Sequence, residues 1–243
     1  MPRPPAPEVK PVSQGPSSAL IGGVVVLVVA LIGVLVWLAI RSGDSLESSG
    51  SANALSQGGG ISSGPGVDAG DGVTQVHVYG DFQCPFCGDL EVAVGEELEQ
   101  KVEAGEVNLT VTLMSFLDGR IAGENSARAA NAALCADDAG AFLPFYQDLY
   151  TAQPQEGQGW SDEQLVATGE AAGITGGDLD TFSSCVAERP YQDYVDDMQQ
   201  RANQDGVTGT PRMFVNGTQI SDDEMRGLME RTIDVDTVLA THS

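Results

Sequence analysis

Residues 74–94 read TQVHVYGDFQCPFCGDLEVAV, an alternating β-branched run followed within a few residues by Cys84-Pro85-Phe86-Cys87. Val73–Tyr79 has the period-two pattern of a half-buried strand. From Cys84 to about Ala104 the pattern changes to a helical one. Cys87, Leu90, Val94, Leu98 and Val102 are spaced three, four, four and four residues apart, which puts them on one apolar helical face. Cys87 therefore points into the core, and Cys84 is expected at the exposed first turn. Unpaired backbone N–H groups and the positive end of the helix dipole there favour a thiolate. Pro85 suits that turn because its missing N–H costs nothing. An accessible thiolate with a second thiol one turn away is the arrangement dithiol exchange requires: Cys84 attacks or is attacked, and Cys87 resolves.

The neighbouring charges oppose this. Asp81, Asp89 and Glu91 are close in sequence, and no Lys, Arg or His lies within six residues of Cys84. The helix terminus has to supply the lowering unless Arg212 approaches in the fold. Two other readings of the motif stay open. Zinc sites use the same Cys-x-x-Cys spacing. Here Cys135 and Cys185 are fifty residues apart and His77 and His242 sit near opposite ends of the domain, so no metal and no other cofactor is expected. The motif could also be a purely structural disulfide.

Working outward, the chain divides into four parts. Residues 1–18 are Pro-rich and polar, the pattern of a disordered cytoplasmic tail. Residues 19–40, ALIGGVVVLVVALIGVLVWLAI, carry no charge and have the length of a single transmembrane helix. The run is long for a cleaved signal peptide and Arg41 follows it directly, so an uncleaved anchor is expected. Arg3 and Lys10 before it place the N-terminus in the cytoplasm and the rest of the chain outside, at the cell membrane. Residues 41–72 are rich in Gly and Ser and read as a flexible linker. The folded domain is expected over 73–243. The net charge is −24, with 35 acidic residues against 11 Lys and Arg, most of the acids lying in that domain. Such a surface repels phosphate backbones and excludes nucleic-acid binding from the expected roles.

After the first helix, Asn108–Phe116 reads as a strand. Helical patterns follow over 124–136, 141–151, 161–172 and 179–203, the last broken at Pro190. Arg212–Val215 and Thr218–Ile220 flank Asn216-Gly217, a type I′ hairpin signal. Asp222–Thr232 reads as a closing helix.

DFQCPFCGDLE after a strand, a helical block, and then VTGTPRMFVNG before a hairpin resemble the DsbA-like branch of the thioredoxin fold. The likeness is to membrane-anchored or secreted members from Gram-positive, especially actinobacterial, organisms, and covers about residues 73–240. It implies an α/β thioredoxin fold with a helical insertion at about 124–205. It also implies a cis peptide between Thr210 and Pro211 beside the cysteines, with Thr210 offering its backbone to a substrate strand. Pro85 and Phe86 are the family's other tuning positions. Cys135 and Cys185, each flanked by small or apolar residues, read by themselves as buried thiols; similar family members pair them as a structural disulfide. Many relatives carry a buried acid six residues before the first active-site cysteine, where this chain has Val78. Alternation places His77 on the opposite strand face, in a structural role.

The function expected from this likeness is an extracytoplasmic thiol–disulfide oxidoreductase. Its preferred direction is donation of the Cys84–Cys87 disulfide to exported proteins with cysteines, with reoxidation by a quinone-linked membrane partner. The alternatives are a reductase or isomerase, and a surface chaperone or binding module in which CPFC is only structural.

Overall fold

The computed structural model describes residues 48–68, 72–121 and 123–243. The expected tail, anchor and the start of the linker fall outside these residues. No helix among the described residues is long and apolar enough to cross a membrane.

Five strands form one sheet: β1 (Ile61–Ser63), β2 (Thr74–Gly80), β3 (Val107–Leu113), β4 (Arg212–Val215) and β5 (Thr218–Gln219). Their order is β1-β3-β2-β4-β5. β2 and β3 are parallel, joined by the long helix α1 (Pro85–Glu103); the other pairings are antiparallel. A parallel pair needs such a crossover, and the helix covers one sheet face. The predicted stripe Cys87, Leu90, Val94, Leu98 and Val102 is the buried side of α1. Every residue of β3 is buried, as expected for a strand covered on both faces. The β4–β5 turn uses Asn216 and Gly217, both at positive φ, as a type I′ hairpin requires.

Between β3 and β4 lies the helical insertion: α2 (Asn125–Asp138), α3 (Phe142–Thr151), α4 (Asp162–Ala171), α5 (Gly177–Glu188) and α6 (Gln192–Gln204). α2 is its hub. Ala129, Ala130, Ala132, Ala133 and Ala136 have no solvent exposure, and their small side chains let neighbouring helices pack closely on several sides of α2. α5 ends at Arg189 in the left-handed conformation and α6 starts after Pro190, which gives the predicted break a backbone cause. The chain closes with α7 (Asp222–Met229), started by a Ser221–Glu224 capping box, and α8 (Val235–Thr241), capped by Asp234. The sequence reading assigns no element to this last segment, a helix of seven residues.

The linker expected over 41–72 is corrected for residues 48–68. Ile61 is fully buried and β1 pairs with β3 through Ile61, Ser62 and Ser63. The Tyr194 hydroxyl donates to the carbonyls of Leu55 (2.5 Å) and Gly60 (3.0 Å), and Asn53 N–H donates to the Asp137 carboxylate at 2.7 Å. The Gly/Ser content reflects tight backbone contact instead of freedom. Gly60 has φ +97°, and a side chain there would meet the Val111 carbonyl oxygen at 2.6 Å.

Candidate active site

Cys84 is the N-cap of α1 and Pro85 its first residue. The Cys84 carbonyl accepts from the N–H groups of Cys87 (3.1 Å) and Gly88 (3.3 Å), and its own N–H donates to the Asp81 carbonyl at 2.9 Å. A side chain from the insertion fixes the turn further. Gln153, just past α3, donates from Nε2 to the carbonyls of Phe82 (2.6 Å) and Cys84 (3.0 Å).

The expected exposure of Cys84 is corrected. Its residue is 6% exposed and Cys87 4%, whereas Phe86 is 61% exposed. The cover over Cys84 includes the loop before β4. The Thr210–Pro211 peptide is cis, and the Cys84 thiol donates to the Thr210 carbonyl oxygen at 3.4 Å. Sequence spacing within α1 could not reveal this, since the covering residue comes from elsewhere in the chain. What faces solvent beside the sulfur is the Pro85-Phe86 pair.

The two thiols, both free here, differ sharply in electrostatics. The Cys87 thiol, donating to Cys84, pulls the Cys84 pKa down to about 6; burial opposes this, and the Thr210 hydroxyl and the N–H groups of Cys87 and Phe86 assist it. Burial pushes Cys87 well above the usual thiol range, and the neighbouring Cys84 raises it further. The helix terminus thus contributes through its N–H groups, but the resolving thiol is the larger influence. Arg212 takes no part: its guanidinium donates to the Pro211 carbonyl at 3.1 Å and approaches Asp222 at 3.9 Å.

Asp81, which the sequence suggests as an opponent of the thiolate, has another task. Fully buried, it accepts from Gln83 N (2.9 Å), Leu117 N (3.1 Å) and Ser126 Oγ (2.6 Å). Asp118 then accepts from the N–H groups of Ser126 and Ala127, both at 2.9 Å, in the first turn of α2. This network joins the segment before CPFC to the insertion. Burial raises the Asp81 pKa to about 7, the three hydrogen bonds acting in the opposite sense. Sequence reasoning misses Asp81, Ser126 and Gln153 as site residues, because the contacts that tie them to the site, Asp81 to Leu117 and Ser126 and Gln153 to Phe82 and Cys84, span 36 or more positions and leave no local pattern.

Val78, 6% exposed, occupies the sheet interior opposite Met213 and Val111. His77 stacks on Tyr79 at 4.2 Å and its Nε2 lies 2.8 Å from Thr112 Oγ1; burial lowers its pKa to about 4. Cys135 and Cys185 form a disulfide joining α2 to α5. Among the described residues no group of three or more His, Cys, Asp or Glu converges as metal ligands do.

A strand running into a helix that starts with two cysteines, faced by a cis-proline loop, is the dithiol centre of a thioredoxin fold. The chain belongs to the family described as Thioredoxin, which matches residues 69–235. It is similar to "Probable disulfide bond formation protein D" of Bacillus anthracis, 27% identical over 148 residues, which are 60% of this chain and 66% of that protein. The match thus spans just under two thirds of that relative. Among solved structures it is similar to the reduced disulfide bond oxidoreductase DsbG of Mycobacterium tuberculosis, with 27% identity and a TM-score of 0.55 over 82% of this chain and 94% of that one. Reduced DsbA from the same organism gives 26% identity and a TM-score of 0.54 over 83% and 100%.

Proposed function

We propose that this chain is a DsbA-type thiol–disulfide oxidoreductase whose Cys84–Cys87 disulfide is donated to exported proteins with cysteines. The observation that carries the reading is the opposed electrostatics of the two sulfurs. A substrate thiolate attacks Cys84 in the disulfide form, Cys87 leaves, and a second substrate thiolate then releases Cys84. The site stabilises Cys84 as a thiolate, so it is a good leaving group in that last step. It also stabilises the reduced protein over the disulfide, which makes the disulfide a stronger oxidant. The names of the Bacillus and mycobacterial relatives support the same chemistry.

The location follows from the sequence of residues 19–40 and the charges flanking it: a single-pass anchor, with the domain outside the cytoplasm, where disulfides persist. A quinone-linked membrane protein is the partner proposed for reoxidation. The apolar Phe86, exposed beside the buried Cys84, offers such partners and substrates a point of contact.

Equilibration with glutathione buffers tests the direction of transfer. The couple is expected closer to about −120 mV, the value for DsbA, than to about −270 mV, the value for thioredoxin. A potential at the thioredoxin end would reassign the protein as a reductase. Labelling Cys84 in intact cells with a membrane-impermeant maleimide, after reduction by a membrane-impermeant phosphine, tests the topology; a thiol reachable only after lysis would overturn it.

A further inference from the structure

Past the end of β2 the chain has no sheet partner, and its carbonyls must be satisfied one by one. The Asp81 carbonyl accepts from Cys84 N at 2.9 Å. Phe82 and Cys84, both buried, take their donors from the insertion. Gln153 Nε2 gives one hydrogen to the Phe82 carbonyl at 2.6 Å and the other to the Cys84 carbonyl at 3.0 Å. An amide NH2 has two hydrogens, so this group is fully engaged by the two carbonyls. Among the described residues no other group donates to the Phe82 carbonyl.

Gln153 is itself held. It lies two residues past α3, and its N–H donates to the Tyr150 carbonyl at 3.1 Å. The Tyr150 ring packs on Phe82 at 4.8 Å, so the end of α3 grips Phe82 twice, by ring and by carbonyl. The amide also depends on a glycine. A β-carbon on Gly88 would lie 2.6 Å from Gln153 Oε1, and the three atoms it would meet nearest, out to 3.8 Å, all belong to the Gln153 amide. Glycine inside a helix costs stability relative to alanine. Its place in α1 is explained by the amide lying across it.

We propose that Gln153 is a positioning residue of the dithiol centre, its amide fixing the backbone of Phe82 and Cys84 across Gly88 so that Cys84 Sγ stays directed at the first N–H groups of α1. The inference rests on the dithiol reading above and adds the insertion to it. Peptide groups are planar, so fixing the two carbonyls fixes the peptide planes on either side of Gln83 and Cys84. With them is set the direction in which the Cys84 side chain leaves the backbone. That direction decides whether Sγ meets the unpaired N–H groups at the helix start. In exchange, a substrate thiolate bonds to Cys84 Sγ and the electron pair of the broken Cys84–Cys87 bond goes to Cys87. A second substrate thiolate then bonds to the first substrate sulfur, and Cys84 keeps the electron pair of the mixed disulfide. Gln153 takes no part in these steps; it holds Cys84 where the helix start receives that charge.

Two substitutions in the full-length chain test this, each read by Cys84 thiolate absorbance and by equilibration with glutathione. Gln153→Met keeps the length of the side chain and removes both donors. Gly88→Ala keeps the amide and sets a methyl group against it, while alanine is the better helix former. Both should raise the Cys84 pKa from about 6. Both should lower the equilibrium constant for reduction of the disulfide by glutathione about threefold to tenfold, the size of one hydrogen bond. The double variant should do little more than either alone, because both break the same contact. A residue that only staples the insertion to the sheet would lower the melting temperature of Gln153→Met and leave titration and equilibrium at parental values; that result overturns the proposal. A shift in Gly88→Ala with none in Gln153→Met overturns it too. Should Gln153→Met not fold, Gly88→Ala decides alone, and a parental titration and equilibrium there sink the proposal. Failure of the parent chain to exchange at all would instead remove the dithiol reading and the proposal with it.

Discussion

The Cys84 sulfur lies 3.4 Å from the carbonyl oxygen of Thr210, a residue 126 positions further along the chain. The first helical turn is therefore completed by a loop on the far side of the insertion. Thr210 also contributes its buried hydroxyl, which favours the Cys84 thiolate. Thr210→Val keeps the shape and removes that oxygen. The Cys84 pKa, read from thiolate absorbance near 240 nm, should move up from about 6. An unchanged titration would show that the hydroxyl has no such influence.

Removing Cys87 should have two effects. The Cys87 thiol is the strongest single influence lowering Cys84, so Cys87→Ala should raise the Cys84 pKa. The variant should also accumulate mixed disulfides with substrate, visible on non-reducing gels, because the resolving sulfur is gone. Cys84→Ser should form none and lose exchange altogether.

The disulfide between Cys135 and Cys185 closes a long loop across the insertion, 50 residues in sequence. Replacing both cysteines with Ala should cost about 2–5 kcal/mol of stability, the usual range for a native bridge. Thermal melts should register the loss, while the Cys84–Cys87 potential should stay unchanged at 25 °C. A shifted potential would mean that the bridge shapes the redox site as well as the insertion.

Asp81 has a raised pKa, from 3.8 to about 7, so the folded state holds its proton more tightly than the unfolded chain. Its contribution is fully present below the unfolded value and is lost as pH rises through the folded one. Stability should therefore fall between about pH 4 and 7, by at most ~1.4 kcal/mol per pH unit from this group. Urea titrations across that range should show a flatter slope for Asp81→Asn.

The parts of the fold legible in sequence are those with local cause. The stripe from Cys87 to Val102 needs only helical periodicity, and the β4–β5 hairpin needs only Asn216-Gly217. The α5–α6 break needs only Pro190 in a helical pattern. The misread parts depend on distant partners. Ile61 lies in a stretch whose composition suggests freedom, yet β3 supplies its backbone partners and the core encloses its side chain. Cys84 looks open from its own helix and is covered by Thr210. Gln153, Ser126 and the buried face of Tyr150 carry no signal in the sequence, because their meaning lies in which backbone or hydroxyl they meet.

The alanines of α2 have a consequence for how this protein can change over evolutionary time. Five of them have no exposure, and neighbouring helices close on them from several sides. Even one added methylene in such a place forces side chains off their rotamers or shifts backbone. Drift in the surrounding helices can proceed while these positions stand still. A saturation mutagenesis screen scored by yield of folded protein should therefore mark α2 as a band of intolerance, although the reacting sulfurs belong to the start of α1. Constraint and chemistry would map to different helices of the same domain.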